Sequence, residues 1–248
     1  MSDGLTISEV SMISDQTRLT AISHNLTNVN TTGFKQQVIT TESFNEVMNV
    51  AQSRQLDNTK NQQIMVQLPV IDTKVDASSG AMKFTDDPLN IALNEDYFMV
   101  VKTARGEAYT RQGDLHMDGR GRLTTSTGLP IMGLSGEVRL TSDKPVINQQ
   151  GKIYIDDEYI TDLKIVQFPK GTEIIPIGNA LYQTTSEVAI KVNEENMMRQ
   201  GYIEASNVNM TAEMIRMIEV TRHFESTQQV IKGYDDMLDN AINVIGDL

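Results

Sequence analysis

"NLTNVNTTGFK", residues 25–35, crowds three Asn and three Thr into the eight positions before Gly33. Such side chains compete for backbone hydrogen bonds and suit turns and helix ends better than helix interiors. The run just upstream nevertheless has helical spacing. Leu5, Met12, Leu19 and Leu26 recur every seven residues, with Ile22 and Val29 three residues after the last two. This predicts an apolar stripe on a helix from about residue 4 to residue 29. Ser8 and Asp15 occupy the second seam in the first half, so the stripe is narrow there. The polar knot then ends the helix close to the chain start. Gly33 tolerates positive φ where the chain leaves the helix. Asn25, Asn28 and Asn30 can satisfy helix-end groups within the chain or meet neighbouring subunits.

The far end repeats the pattern more strongly. Met210, Met217, Phe224, Ile231, Leu238 and Ile245 form an unbroken heptad series. Val220, Tyr234, Ala241 and Leu248 supply much of the second seam, with Thr227 as its weak member. Between residues 202 and 248 there is no Pro, and Gly233 and Gly246 are the only Gly. Asn209 or Thr211 can cap this helix, with Glu213 in its first turn. A helix from about 210 to 245 is on the order of 50 Å long, far above the usual ~11 residues per globular helix. Such a helix is expected to be completed by other subunits.

Between the ends the signals change. "YFMVVKT" (97–103) reads as a buried strand, apolar without helical spacing. "MDGRGRLT" and "TSTGLPIMG" place turn residues between short apolar pieces. "INQQGKIYIDDEYI" reads as a hairpin about Gly151, and "LKIVQF" (163–168) as another strand. Short strands with Gly turns predict an antiparallel β domain. Residues 45–80 are polar and weakly periodic, which predicts a linker with one or two strands near "IMVQLPVID".

Composition bounds the function. Charged residues make up 22% and hydrophobic ones 39% of 248, ordinary for a soluble chain. A formal net charge of −12 argues against nucleic acid, which needs clustered Lys and Arg. With no Cys there is no disulfide and no thiol chemistry. "MSDGLTISEVSMISDQ" has neither a basic n-region nor an apolar h-region, so no ordinary secretory signal is expected. No apolar stretch approaches the roughly 18 residues of a membrane span, so no direct membrane insertion is expected.

Little chemistry stands out. The three His, His24, His116 and His223, fall in a helix end, a strand and a long helix. Glu219 and His223 share a helix face at i,i+4, a weak metal signal beside a solvated or interface His. "DGRGRL" lacks the third Gly and following helix of a phosphate loop and reads as a hairpin turn. "DDPLN" and "IDDEYI" lack EF-hand spacing and read as turns. No catalytic residue, cofactor or metal site is expected.

The two ends and the knot become specific together. "HNLTNVNTTGFK" resembles the N-terminal signature of bacterial flagellar rod and hook proteins, an Asn-Leu-x-Asn-x-x-Thr-x-Gly-(Phe/Tyr) turn closing the first helix. "QGYIEASNVNMTAEMIRMIEVTRHFESTQQVIKGYDDML" resembles their C-terminal helix with its preceding Glu-x-Ser-Asn-Val segment. "DPLNIALNEDYFMVV" and "EAYTRQGDLHMDGRGRLTTSTGLPIMG" resemble the β domain of the rod members. Within the family the chain is most like the proximal rod members. Where distal members usually carry Gly before the Phe pair, it has "NEDYF", with Asp96, Tyr97 and Phe98.

The resemblance implies an α+β fold: a discontinuous coiled-coil domain from both termini (1–33 and 201–248), a connector (34–75) and an inserted antiparallel β-rich domain (76–200). It implies that the terminal helices pair near the axis of a hollow helical filament and transmit torque. The implied assembly interface is Leu5, Met12, Leu19, Ile22, Leu26, Val29, Met210, Met217, Val220, Phe224, Ile231, Tyr234, Leu238 and Ile245, with Asn25, Asn28, Asn30, Gly33 and Phe34 as the turn motif. Implied partners are copies of the chain, other flagellar rod subunits and the flagellar export apparatus. The implied location is the periplasm-spanning rod of the basal body, reached without a cleaved signal. The rival expectations are a distal rod or hook-type axial protein of the same family and, from a different class, an enzyme or carbohydrate-binding β domain with dimerising helices, marked by a polar pocket of convergent carboxylates.

Overall fold

The computed structural model describes residues 2–41, 71–94, 96–169, 172, 174–184, 189–191 and 196–246. Most of the expected connector, with "IMVQLPV" in it, lies outside the described residues, as do Glu95 and Leu248. The side chains of Leu5, Ala241 and Ile245 also fall outside them. The fold is mixed α+β, as the sequence predicts: the described residues form two helices and many short strands, and the strands pair antiparallel. The chain divides into two compact units. One takes in Met1–Leu26, Gln37–Thr73 and Met210–Leu248; the other takes in Thr27–Gln36 and Lys74–Asn209.

In the first unit, helix α1 runs Ser2–Thr27 and helix α2 runs Met210–Gly246. α1 stops two residues before the expected end at Val29. Asn28–Asn30 form a turn instead, in which the Thr31 N–H donates to the Asn28 carbonyl at 3.0 Å. The β-branched and Asn residues there gain more from such a turn than from another helical one. Asn209 takes the N-cap position of α2, and Glu213 lies in the first turn, where a carboxylate suits the helix dipole. At 37 residues, α2 is about 55 Å long.

The second unit is built on a six-stranded antiparallel sheet. Its order is Ile175–Gly178, Leu181–Gln183, Gly106–Thr110, Tyr97–Thr103, Ile165–Gln167, Ala189–Lys191. Tyr97–Thr103 lies near its centre and is covered on both faces, which is why it reads as a continuous apolar run. Met99 and Val101 point into the main core with Ile91, Leu115, Ile153 and Ile165. Phe98 and Val100 point the other way, against Phe168 and Tyr182. Phe98 stacks on Phe168 with centroids 4.4 Å apart, a geometry that adds to simple burial. "INQQGKIYIDDEYI" forms the hairpin expected about Gly151, and a second turn extends it by one strand. Val146–Ile147, Lys152–Ile155 and Glu158–Asp162 form a three-stranded meander.

Candidate assembly site

Within the helical unit polar contacts join the two helices, and each helix carries a buried or half-buried apolar stripe. Ala21 and Ile22 of α1 are buried, and Leu19 is half-buried. On α2 the half-buried face carries Met217, Val220, Phe224, Thr227, Ile231 and Tyr234, the residues that the heptad spacing marks. Met210 and Leu238 are exposed. The buried Asp15 carboxylate lies 2.6 Å from His223 Nδ1. Asn25, 1% exposed, donates to Glu213 Oε2 at 3.1 Å and to the Gln37 carbonyl at 2.9 Å, and accepts from the Gln37 N–H at 2.8 Å. Asp15 thus meets His223 while Asn25 meets Glu213. The later residue on α1 faces the earlier one on α2, so the helices are antiparallel neighbours.

The rest of the turn motif belongs to the β unit, where it meets the segment that leads into α2. Gly33 adopts φ 65°, and its N–H donates to the Glu204 carbonyl at 2.8 Å. Phe34 packs with Ala180 and Val208, and Val29 joins that cluster. Asn28 accepts from the Thr31 hydroxyl at 3.2 Å, and Asn30 is exposed. Asn207 accepts from the Gln36 N–H at 2.7 Å and donates to the carbonyls of Asp76 and Ser78. The Asn-rich turn and the Glu-x-Ser-Asn-Val segment are therefore two halves of one anchor.

A buried charge cluster holds that anchor. Glu204 accepts from Lys35 Nζ at 2.7 Å, from Arg111 Nε at 2.7 Å and from the Gly80 N–H at 2.8 Å. All three charged side chains are at most 2% exposed. Other donors of the two cations are used as well. Lys35 Nζ reaches the Ser78 carbonyl, and Arg111 donates to the carbonyls of Leu93, Asn94 and Tyr97. The Lys35 N–H donates to the Tyr182 hydroxyl at 3.0 Å, and burial pushes that phenol up to about 12. None of Lys35, Arg111, Glu204 and Asn207 is marked by local spacing, because their partners are distant in sequence.

These charges make stability depend on pH. Burial alone raises the Glu204 carboxyl, but Arg111 and Lys35 outweigh it and hold the group below its ordinary value. A depressed carboxyl stabilises the fold above the unfolded Glu value of about 4.3, and that stabilisation is lost as pH falls through the folded value. Lys35 adds a change of the same sign at higher pH. Burial first, then Arg111, lower its pKa, despite the pull of Glu204. The cost of its charge is therefore relieved as pH rises from that lowered value toward the ordinary ~10.4. Acid titration of the purified chain should show unfolding steepening below about pH 4. Glu204→Gln should be less stable at neutral pH and lose part of that acid slope. An unchanged slope would remove Glu204 from the account.

Among the described residues no group of three or more His, Asp or Glu gathers as a metal site, and no helix is long and apolar enough to cross a membrane. What the fold and site define is an α+β chain whose terminal helices run side by side and whose two exit segments are locked together in an inserted β unit. Comparison with known proteins specifies the class. Residues 199–244 match the model for the flagellar basal body rod FlgEFG protein C-terminal region, and residues 92–179 match the flagellar hook protein FlgE/F/G D1 domain. The chain is 28% identical to the flagellar basal-body rod protein FlgG of Buchnera aphidicola subsp. Acyrthosiphon pisum, over 96% of this chain and 98% of that protein. It is 29% identical to FlgG of Bacillus subtilis, over 92% and 94%. It is 23% identical to the flagellar basal-body rod protein FlgF of Mesorhizobium japonicum, over 99% of both. The chain belongs to the flagellar basal-body rod protein family.

Proposed function

We propose that this chain is a structural, non-catalytic subunit of the flagellar rod. It polymerises helically with copies of itself and with other rod subunits after passage through the flagellar export apparatus. In this reading α1 and α2 form the axial coiled coil, and the periplasm-spanning shaft that they build transmits torque. The observation that carries the reading is apolar surface left open on the helices. Met214, Ile215 and Ile218 are 49–54% exposed on α2, away from its half-buried face, while Ile7 and Ile13 are exposed on α1. Contiguous exposed apolar surface of this kind marks an interaction site. Neighbouring helices in a polymer would cover it.

The test separates assembly from folding. Phe224 and Leu19 are half-buried on the two helices. Replacing either with Asp puts an unpaired carboxylate in an apolar seam, at a cost of several kcal/mol. The defect recurs in every copy of a polymer. Cells carrying either variant should be non-motile, with the chain missing from purified basal bodies. In the purified monomer the β unit should melt within a few degrees of wild type. Wild-type chain should also be absent from basal-body fractions of cells without the export apparatus. Motile Phe224→Asp cells, or collapse of the β unit in the monomer, would count against the reading.

A further inference from the structure

The apolar seam of α2 does not choose its own register. Its heptad series recurs from Met210 to Ile245, so sliding α2 along α1 by seven residues presents nearly the same surface. Two polar contacts remove that degeneracy, and they are built alike. On α1 the buried Asp15 takes His223 across the seam at 2.6 Å and Arg18, three residues on, at 3.9 Å. On α2 the buried Glu213 takes Asn25 across the seam at 3.1 Å and Arg216, three residues on, at 2.5 Å. In both, the helix with the carboxylate supplies an Arg one turn later, and the opposite helix supplies the crossing partner. Asp15 and Asn25 are ten residues apart on α1, and Glu213 and His223 are ten apart on α2. The paired numbers therefore sum to the same value, and the clamps lie about 15 Å apart along the pair.

We infer that Asp15–His223 and Asn25–Glu213 are a register lock that selects one antiparallel alignment of the terminal helices within each subunit. A slip of one heptad takes both carboxylates away from their crossing partners while leaving them buried. Asp15 and Glu213 are only 2% and 1% exposed, so neither can turn to water for compensation. A buried carboxylate that loses its crossing partner and keeps only the Arg of its own helix is left under-satisfied, which is unfavourable, whereas the apolar seam loses little on slipping. The crossing pairs thus add less to the strength of helix pairing than to its uniqueness. The biological use rests on the rod reading: a polymer needs every copy to present the same surface, so a mixture of registers caps growth.

The chain has no Cys, so engineered pairs report register directly. Leu19→Cys combined with Val220→Cys lies within one residue of the native alignment, and Leu19→Cys combined with Thr227→Cys is one heptad off. Under mild oxidation of the dilute full chain, the native pair should form the intramolecular disulfide and the offset pair should not. With Asp15, Asn25, Glu213 and His223 all replaced by Leu, helix content by circular dichroism should hold or rise, because Leu is a strong helix former. The ratio of offset to native disulfide should rise at least tenfold. The double variant Asp15→Asn, Glu213→Gln, which keeps polar shape without the charges, should fall between. The lock is overturned if the Leu variant still links only the native pair, or if the unmodified clamps allow the offset pair equally. Those readouts need no flagellum. Non-motile clamp variants with unchanged register would fault the inference alone, and a correct register in a chain absent from basal bodies would fault the rod reading alone.

Discussion

Replacing Glu204 with Ala should destabilise the β unit more than any other single side-chain truncation in it. The carboxylate pairs with both Lys35 and Arg111, at 2.7 Å from each, in surroundings where all three are nearly sealed from water. Removing it leaves two buried cations facing one another without the carboxylate that pairs with both, and orphans the Gly80 N–H as well. Breaking a buried ion pair from one side costs about 3–5 kcal/mol. At roughly 2–4 °C per kcal/mol for a domain of this size, the Tm should fall by about 6–20 °C. Lys35→Met should cost much less, because Arg111 and Gly80 still hold Glu204 and the burial cost of the ammonium disappears. The triple change to apolar residues of similar volume should recover most of the loss. Denaturant titration of the purified variants checks the order. A Glu204→Ala chain within 1 kcal/mol of wild type would mean that water reaches the cluster.

The broad plan was legible because it rests on periodicity. Met217, Phe224 and Ile231 repeat every seven residues, and that alone places them on one helix face. Tyr97–Thr103 announces a strand covered on both sides, because an unbroken apolar run too short for a buried helix has few alternatives. The anchor was not legible in the same way. Lys35 and Glu204 are 169 residues apart, and Arg111 and Glu204 are 93 apart. Nothing local distinguishes these charges from solvated ones. Asp15 shows the same blind spot from the other side. By spacing it interrupts the α1 stripe, yet it is buried, because His223, 208 residues away, completes it. The spacing likewise suggested Glu219 as the neighbour of His223. A heptad pattern reports which face is covered, not which polar group on that face has found a partner.

Gly33→Ala should be nearly as damaging as Glu204→Ala, although it deletes no contact. Gly33 holds φ 65°, a left-handed conformation that costs an L-residue roughly 1–2 kcal/mol. Space is the second obstacle. A Cβ at Gly33 falls 2.3 Å from the Arg111 carbonyl oxygen and 2.7 Å from the Gln112 nitrogen, both backbone atoms in the buried unit. Neither can swing aside as a side-chain end could. Relief requires moving the backbone that positions the Arg111 guanidinium, or breaking the bond from the Gly33 N–H to Glu204, so the steric penalty reaches the charge cluster. The summed cost should reach about 3 kcal/mol or more, in the range reserved for strained and overpacked sites. Gly128 supplies the control. It also has positive φ, 81°, but nothing lies within 4 Å of its Cβ position. Gly128→Ala should therefore show the conformational cost alone, about 1–2 kcal/mol. Gly33→Asn separates the two causes further, since Asn visits the left-handed region readily yet brings the same Cβ. If sterics dominate, Gly33→Asn should be as unstable as Gly33→Ala. Should it match wild type instead, the turn has room to move, and the close approach of residues 33 and 111 is not what ties the first helix exit to the β unit.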